Sequence, residues 1–309
     1  MEDNRSSMTA LVSAFGRAYH SLYDDPKIFD DSLARGLMTD DEFVAMSGYM
    51  AGGINFFDPE RAGSFSDAQE ALKWVVQTQI APTPLARARY CEEMLSDAIM
   101  TGAEQYVILG AGMDTFAYRN LRLLDRIHVF EVDHPASQQF KISRVKEAGW
   151  EVRDHLHFVP ADFTADDLIS QLEEAGFHRS KRAFFSWLGV TYYLTKESIL
   201  EILTRLAGAS GEGSFIMFDY ADEGLFRSTV KRVQNMVAMA QAAGEPMKSC
   251  YSYDELETAL RQAGWLIREH LTPEDIESRY FRNRHDYLHA FEHVHYVLAV
   301  KGAPRVERR

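Results

Sequence analysis

Through the first hundred residues apolar positions recur at helical spacing, and after residue 105 they collapse into short runs separated by amphipathic stretches. The first pattern predicts helices over 8–23, 66–79 and 85–100. The last is introduced by Pro82-Thr83-Pro84, since proline is tolerated in a first helical turn. Between the first two, residues 47–59 combine three glycines with three aromatics and predict a loop, either a mobile flap over a pocket or a packed connection. The second pattern predicts strands over 106–109, 128–132, 156–160, 183–187, 214–220, 266–271 and 293–300. Helices are expected over 137–147, 165–175, 196–207 and 253–263, with an extra one over 225–243 placed to cover a substrate. Strands alternating with helices imply a parallel sheet with right-handed crossovers, and the last two strands can add an antiparallel edge. The expected organisation is a helical cover over 1–100 and an α/β unit over 101–309.

In such a sheet ligands bind beyond the carboxyl ends of the strands. The first strand ends in Gly110-Ala111-Gly112-Met113-Asp114-Thr115, a strand, a tight glycine turn and a helix start. Glycine serves there because the turn needs backbone angles that a side chain resists and because the main chain must approach a ligand closely. A dinucleotide fingerprint would place a third glycine at 115, where Thr115 stands. Asp114 would repel a pyrophosphate and favour a cationic ligand, for which S-adenosylmethionine (SAM), with its ammonium and sulfonium, is suited; as a simple alternative it caps the following helix. The other strand ends offer Glu131-Val132-Asp133-His134, Asp162-Phe163 and Trp187 to Leu194. Asp133, about twenty residues past the glycines, suits ribose hydroxyls. Glu131 is its alternative, since strand alternation puts both on one side. Asp162 and Phe163 suit an adenine ring, and Tyr192 and Tyr193 the place where an acceptor meets the cofactor. His134 stands beside Asp133, as a ligand contact or as a residue that orients the turn.

Composition narrows the partners. Thirty-three basic against 46 acidic residues give a formal charge of −13, which repels phosphate backbones and argues against nucleic acid. Two cysteines, Cys91 and Cys250, make neither a disulfide framework nor a metal knuckle. No apolar run reaches the eighteen or so residues of a membrane span, and the polar start is unlike a secretory signal, so a cytoplasmic protein is expected. The stretch 278–295 gathers His285, His289, His293 and His295 with Arg279, Arg282 and Arg284. The histidines fall on different elements and predict no metal site; the arginines are either a clamp for an anionic substrate or a solvated connection.

Taken in order, Phe29-Asp-Asp-Ser-Leu-Ala34, Arg87-Ala-Arg-Tyr-Cys-Glu-Glu93, Leu109 to Thr115, Tyr118-Arg119, Glu131-Val-Asp-His-Pro135, Pro160-Ala-Asp162 and Trp187 to Leu194 resemble the leucine carboxyl methyltransferase family of SAM-dependent enzymes, including its bacterial polyketide O-methyltransferase branch. The resemblance implies a Rossmann-like class I methyltransferase fold: a seven-stranded, mostly parallel sheet with an antiparallel edge strand under an N-terminal helical cover. It also implies that Arg87 grips the methionyl carboxylate of SAM, with Arg89 as the alternative. Gly110 then lies under the methionyl part, and Ala111, Gly112, Asp114, His134 and Trp187 are further expected cofactor contacts. Asp133 holds the ribose, and Asp162 with Phe163 the adenine. The family often carries a glutamate where Leu188 stands, so another group must meet the SAM ammonium. The expected activity is O-methylation of a carboxylate or phenol on a small acceptor, with Tyr192 and Tyr193 orienting it. Methylation of a protein C-terminal carboxylate, a nicotinamide-dependent oxidoreductase and a silent SAM-binding protein are the alternatives. No pattern in the sequence fixes the oligomeric state.

Overall fold

The computed structural model describes residues 8–163 and 167–302. Seven strands, β1 (Gln105–Leu109), β2 (His128–Asp133), β3 (Leu156–Pro160), β4 (Ala183–Trp187), β5 (Phe215–Ala221), β6 (Trp265–Leu271) and β7 (Val294–Lys301), form one sheet in the order β3-β2-β1-β4-β5-β7-β6. Neighbours among the first five are parallel. β7 runs antiparallel to both β5 and β6. The antiparallel strand expected at an edge therefore lies one place in, with β6 outermost. Strand order reverses between β1 and β4, which opens a crevice beyond their carboxyl ends.

Every residue of β1 and β4 is buried, as strands covered on both faces must be, and this is why they read as unbroken apolar runs. Alternation sends Val107 and Leu109 into the core of one face and Tyr106 and Ile108 into the other. The first core is closed by α6 (Leu168–Glu174), α7 (Lys196–Gly208) and α9 (Tyr253–Gln262). The first two residues of the helix expected over 165–175 lie outside the described residues. The second core is closed largely by the N-terminal helices, with Phe15, Leu85 and Tyr90 joining Ile108, Phe184 and Tyr296 in one cluster.

The N-terminal helices are α1 (Met8–Tyr23), α2 (Asp40–Gly52), α3 (Ala68–Val75) and α4 (Pro82–Met100). The loop expected over 47–59 is mostly helical. A capping box, in which Thr39 and Glu42 satisfy each other's backbone N–H, starts α2, and a single turn Ile54–Phe57 follows it. The helix expected over 66–79 is capped by Asp67, which accepts from the N–H groups of Gln69 and Glu70, and its second half widens into a π-helical turn, Val76–Ile80. α5 (Pro135–Glu147) follows β2. After β5 the expected covering helix is divided into a 3₁₀ turn, Leu225–Arg227, and α8 (Lys231–Ala242). Among the described residues no helix is long and apolar enough to cross a membrane.

Candidate active site

A cavity of about 590 Å³ lies at the reversal of strand order, within the range of small-molecule sites. Its floor is the glycine turn. Gly110 and Ala111 both donate their N–H to Val132 O, at 2.8 and 3.0 Å, so the turn is fastened to the end of β2. Gly110 has φ +71°, and a methyl at its Cα would stand 2.4 Å from Val190 Cγ2. A side chain is excluded there by both the backbone angle and the space.

Asp133 fixes the other side of the turn. Its carboxylate accepts from Gly112 N at 2.5 Å and from His134 N at 2.7 Å. Burial raises its pKa, and these two N–H groups oppose the rise. His134 caps α5, its Nδ1 accepting from Ala136 N at 3.3 Å, while also lining the cavity. Asp114 lines the cavity and accepts from Phe116 N at 2.7 Å, so it does act as a turn cap. Thr115, in place of a third glycine, donates its hydroxyl to Asp31 at 2.6 Å. Asp31 also accepts from Arg17 Nε at 2.8 Å, and Arg119 stands 3.3 Å away. Burial would raise the Asp31 pKa, but Arg17, Arg119 and the Thr115 hydroxyl hold it below the ordinary carboxylate value. Arg119 also binds Glu92, whose pKa burial pushes up. This ionic group in the cavity wall was not foreseen from the sequence, although Asp31 lies in the Phe29 to Ala34 piece.

Arg87 faces the cavity, whereas Arg89 is exposed and paired with Glu93 at 2.6 Å. Arg87 Nη1 donates to Asp219 Oδ2 at 2.9 Å. Asp219, within β5 two residues before its end and fully buried, also accepts from Tyr192 Oη at 2.8 Å and from Gly189 N at 2.7 Å. Sequence reasoning missed Asp219 because it is embedded in an apolar strand; a lone carboxylate inside a buried strand was the available signal.

Tyr192 and Tyr193 both line the cavity. Burial, then the nearby Asp219, lifts the Tyr192 pKa far above that of a free phenol. Burial and Glu245 push Tyr193 to about 12. Near neutrality both are donors and neither is a base.

Asp162 and Phe163 line the cavity beside Asp133 and Ala161. Two expectations are corrected. Trp187 is fully buried in the core beyond the wall, against Phe163 and Phe218, and does not line the cavity; the position that does is Leu188. Glu131 is also fully buried away from the cavity, bonded to Lys141 of α5 at 2.5 Å. β2 turns both acids the same way, but only the one at its end emerges.

The opposite wall is apolar, built from Met236, Met239 and Ala240 of α8 with Met247, Phe291 and Val294. Thr9 donates its hydroxyl to Glu245, tying the first turn of α1 to the segment after α8, and both residues line the cavity. The arginines of 278–295 form no clamp there. Arg279 pairs with Glu93 and Glu269, Arg284 binds Asp286 and the Pro26 carbonyl, and Arg282 lines a separate surface depression with Arg232. His293 and His295 converge on Asp222, at 2.8 and 3.0 Å, and among the described residues no group of side chains has the makings of a metal site.

The sequence model of the leucine carboxyl methyltransferase family matches residues 10–207. YktD of Bacillus subtilis (strain 168), which carries the name of an S-adenosyl-L-methionine-dependent methyltransferase, is 51% identical over 304 residues, spanning 97% of this chain and 100% of YktD. A similarly named protein of Mycobacteroides abscessus is 28% identical over 308 residues, covering 96% of this chain and 94% of its own. In fold, the chain is similar to the crystal structure of a DUF574 family protein from Streptomyces avermitilis, with a TM-score of 0.59 at 11% identity over 97% of this chain and 99% of that one.

Proposed function

The chain belongs to the leucine carboxyl methyltransferase family and takes SAM as its cofactor, and from that premise we infer that it methylates an oxygen, a carboxylate before a phenol, on a small polyketide-like acceptor. The observation that carries this reading is the joining of the glycine turn and the methionine-lined wall in one cavity. A mostly apolar lining with a few convergent polar groups suits an enclosed small molecule. Methionine adapts to irregular apolar shapes.

The residues present fit the cofactor. The Gly110 cradle, which a Cβ would fill, admits close main-chain approach. Asp133 would hold the ribose, Asp162 and Phe163 the adenine, and Arg87, with Nη1 on Asp219, would offer its other donors to the methionyl carboxylate. Asp114 supplies negative charge for the ammonium, where Leu188 supplies none. When bound, SAM supplies a sulfonium-borne methyl group open to in-line displacement by an acceptor oxygen. The chain's part is to place that oxygen and exclude water from it. Of the described cavity-lining residues only His134 carries an imidazole, and it stands beside Asp133. With both tyrosines held protonated, an acceptor already ionised near neutrality suits the site better than a phenol. The acidic surface and unpaired cysteines fit action in the cytoplasm.

The test is calorimetric titration with SAM, S-adenosylhomocysteine (SAH) and NAD, followed by transfer of labelled methyl to aromatic and aliphatic acids, to phenols and to a peptide with a free C-terminus. SAM and SAH are expected to bind at micromolar concentration, roughly tenfold or more weakly in Asp133→Ala, and acids to yield base-labile methyl esters. Preference for NAD would overturn the reading, and label in the peptide alone would favour a protein C-terminal carboxylate as acceptor.

A further inference from the structure

The π-helical turn Val76–Ile80 presents two glutamines with opposite situations. Both polar atoms of the Gln77 carboxamide are partnered: its Nε2 donates to Asp24 at 2.6 Å and its Oε1 accepts from Tyr287 N at 3.1 Å. Gln79 differs. Its Oε1 is buried with no hydrogen-bond partner among the described residues. Several described side chains share that condition, but Gln79 alone among them lines the active-site cavity. Buried polar atoms are normally paired, so an orphan in a ligand cavity points to a partner that arrives with the ligand.

Its position says which ligand. Gln79, Thr83 and Arg87 follow one another at helical spacing, beside Ile80, Pro84 and Ala88, and all six line the cavity. Arg87 stands at the cofactor end of this stripe, and Gln79 stands at its other end, eight residues earlier and across the bend at Ala81 where the π-helical turn gives way to α4. α8 packs against the π-helical turn and brings Met236 and Met239 to the same cavity. The turn itself carries an extra residue, a distortion that recurs at functional sites.

We propose that Gln79 is the specificity-determining residue that orients the acceptor, its carboxamide supplying a polar contact in a mainly apolar compartment. A carboxamide both donates and accepts, and its terminal torsion is soft, so rotation presents either group to a ligand oxygen. The proposal rests on the methyl-transfer reading above.

Gln79→Met keeps the length of the side chain and removes the amide. Four quantities are measured on the full chain: melting temperature, SAH affinity by calorimetry, and the binding and the methylation of salicylate, cinnamate and octanoate. If Gln79 serves the acceptor, the variant melts at or above the wild-type temperature, because an unsatisfied buried group has gone. SAH affinity is unchanged, and KM for the acids rises roughly tenfold with kcat nearly constant. Gln79→Glu, which sets a charge against an acid, is expected to raise KM further as pH increases. A lower melting temperature for Gln79→Met would make the residue structural and overturn the proposal, as would an unchanged KM. If the wild-type SAH complex binds none of the acids, the small-acid reading fails, and the proposal falls with it unless a phenol or peptide found to be methylated shows the same KM shift.

Discussion

Glu131 and Lys141 are both almost wholly withdrawn from water, bonded to each other between β2 and α5, with Gln138 Nε2 donating to the Glu131 carbonyl. Burial lifts the Glu131 pKa from 4.5 to about 7 against the pull of Lys141. Between those two values the folded chain keeps a proton that the unfolded chain has released, so stability falls as pH rises through the window, by at most about 1.4 kcal/mol per pH unit. Glu131→Gln should flatten this part of the profile, read as melting temperature against pH from 4.5 to 7.5; an unaltered slope would remove Glu131 as its source. The same residue shows what a sequence can disclose. Alternation along β2 correctly puts Glu131 and Asp133 on one side, but how far α5 covers that side depends on packing between separate elements. Asp133 was legible because it ends a strand, and Arg87 because it belongs to an ordered set of motif pieces. Asp219 was not, since its partner Arg87 is 132 residues away in sequence.

Elements with a clear apolar run or a clear helical period were the easiest to read. The strands predicted over 156–160 and 183–187 coincide with β3 and β4, and the helix over 8–23 with α1. α2 was missed because it buries little, chiefly Phe43 and Met50, so its capping box rather than its apolar pattern marks it. The place of β7 between β5 and β6 escaped because strand order is not a local property. The connection after β4 tests how tightly two elements are coupled. Gly189 has φ +70°, donates its N–H to Asp219 and lies so close beneath Arg87 that a Cβ would stand 2.5 Å from Nη1. Gly189→Ala must strain the backbone and displace the guanidinium. The expected result is a loss of about 1–3 kcal/mol of stability with SAH affinity reduced roughly tenfold or more, measured by denaturant unfolding and calorimetry. Unchanged SAH affinity would release Arg87 from its assigned role.

At the scale of the whole molecule, the N-terminal helices share a core with one face of the sheet: Phe15, Leu85 and Tyr90 pack in the cluster that holds Ile108, Met217 and Tyr296. Residues 1–100 can be set apart in sequence as a cover, but removing them strips the sheet of that packing. A chain beginning at residue 101 is therefore expected to lose its cooperative thermal transition and to expose apolar surface, seen by calorimetry and dye binding. A sharp transition in that fragment would establish the α/β unit as independent. The bond from Thr9 to Glu245 spans this division, joining α1 to the segment that follows α8. Where donor and acceptor share one room, spent donor and methylated product must both leave before the next pair enters. Any closure that this bond secures has to be undone once per cycle, and the frequency of that opening sets a ceiling on turnover however fast the methyl group moves.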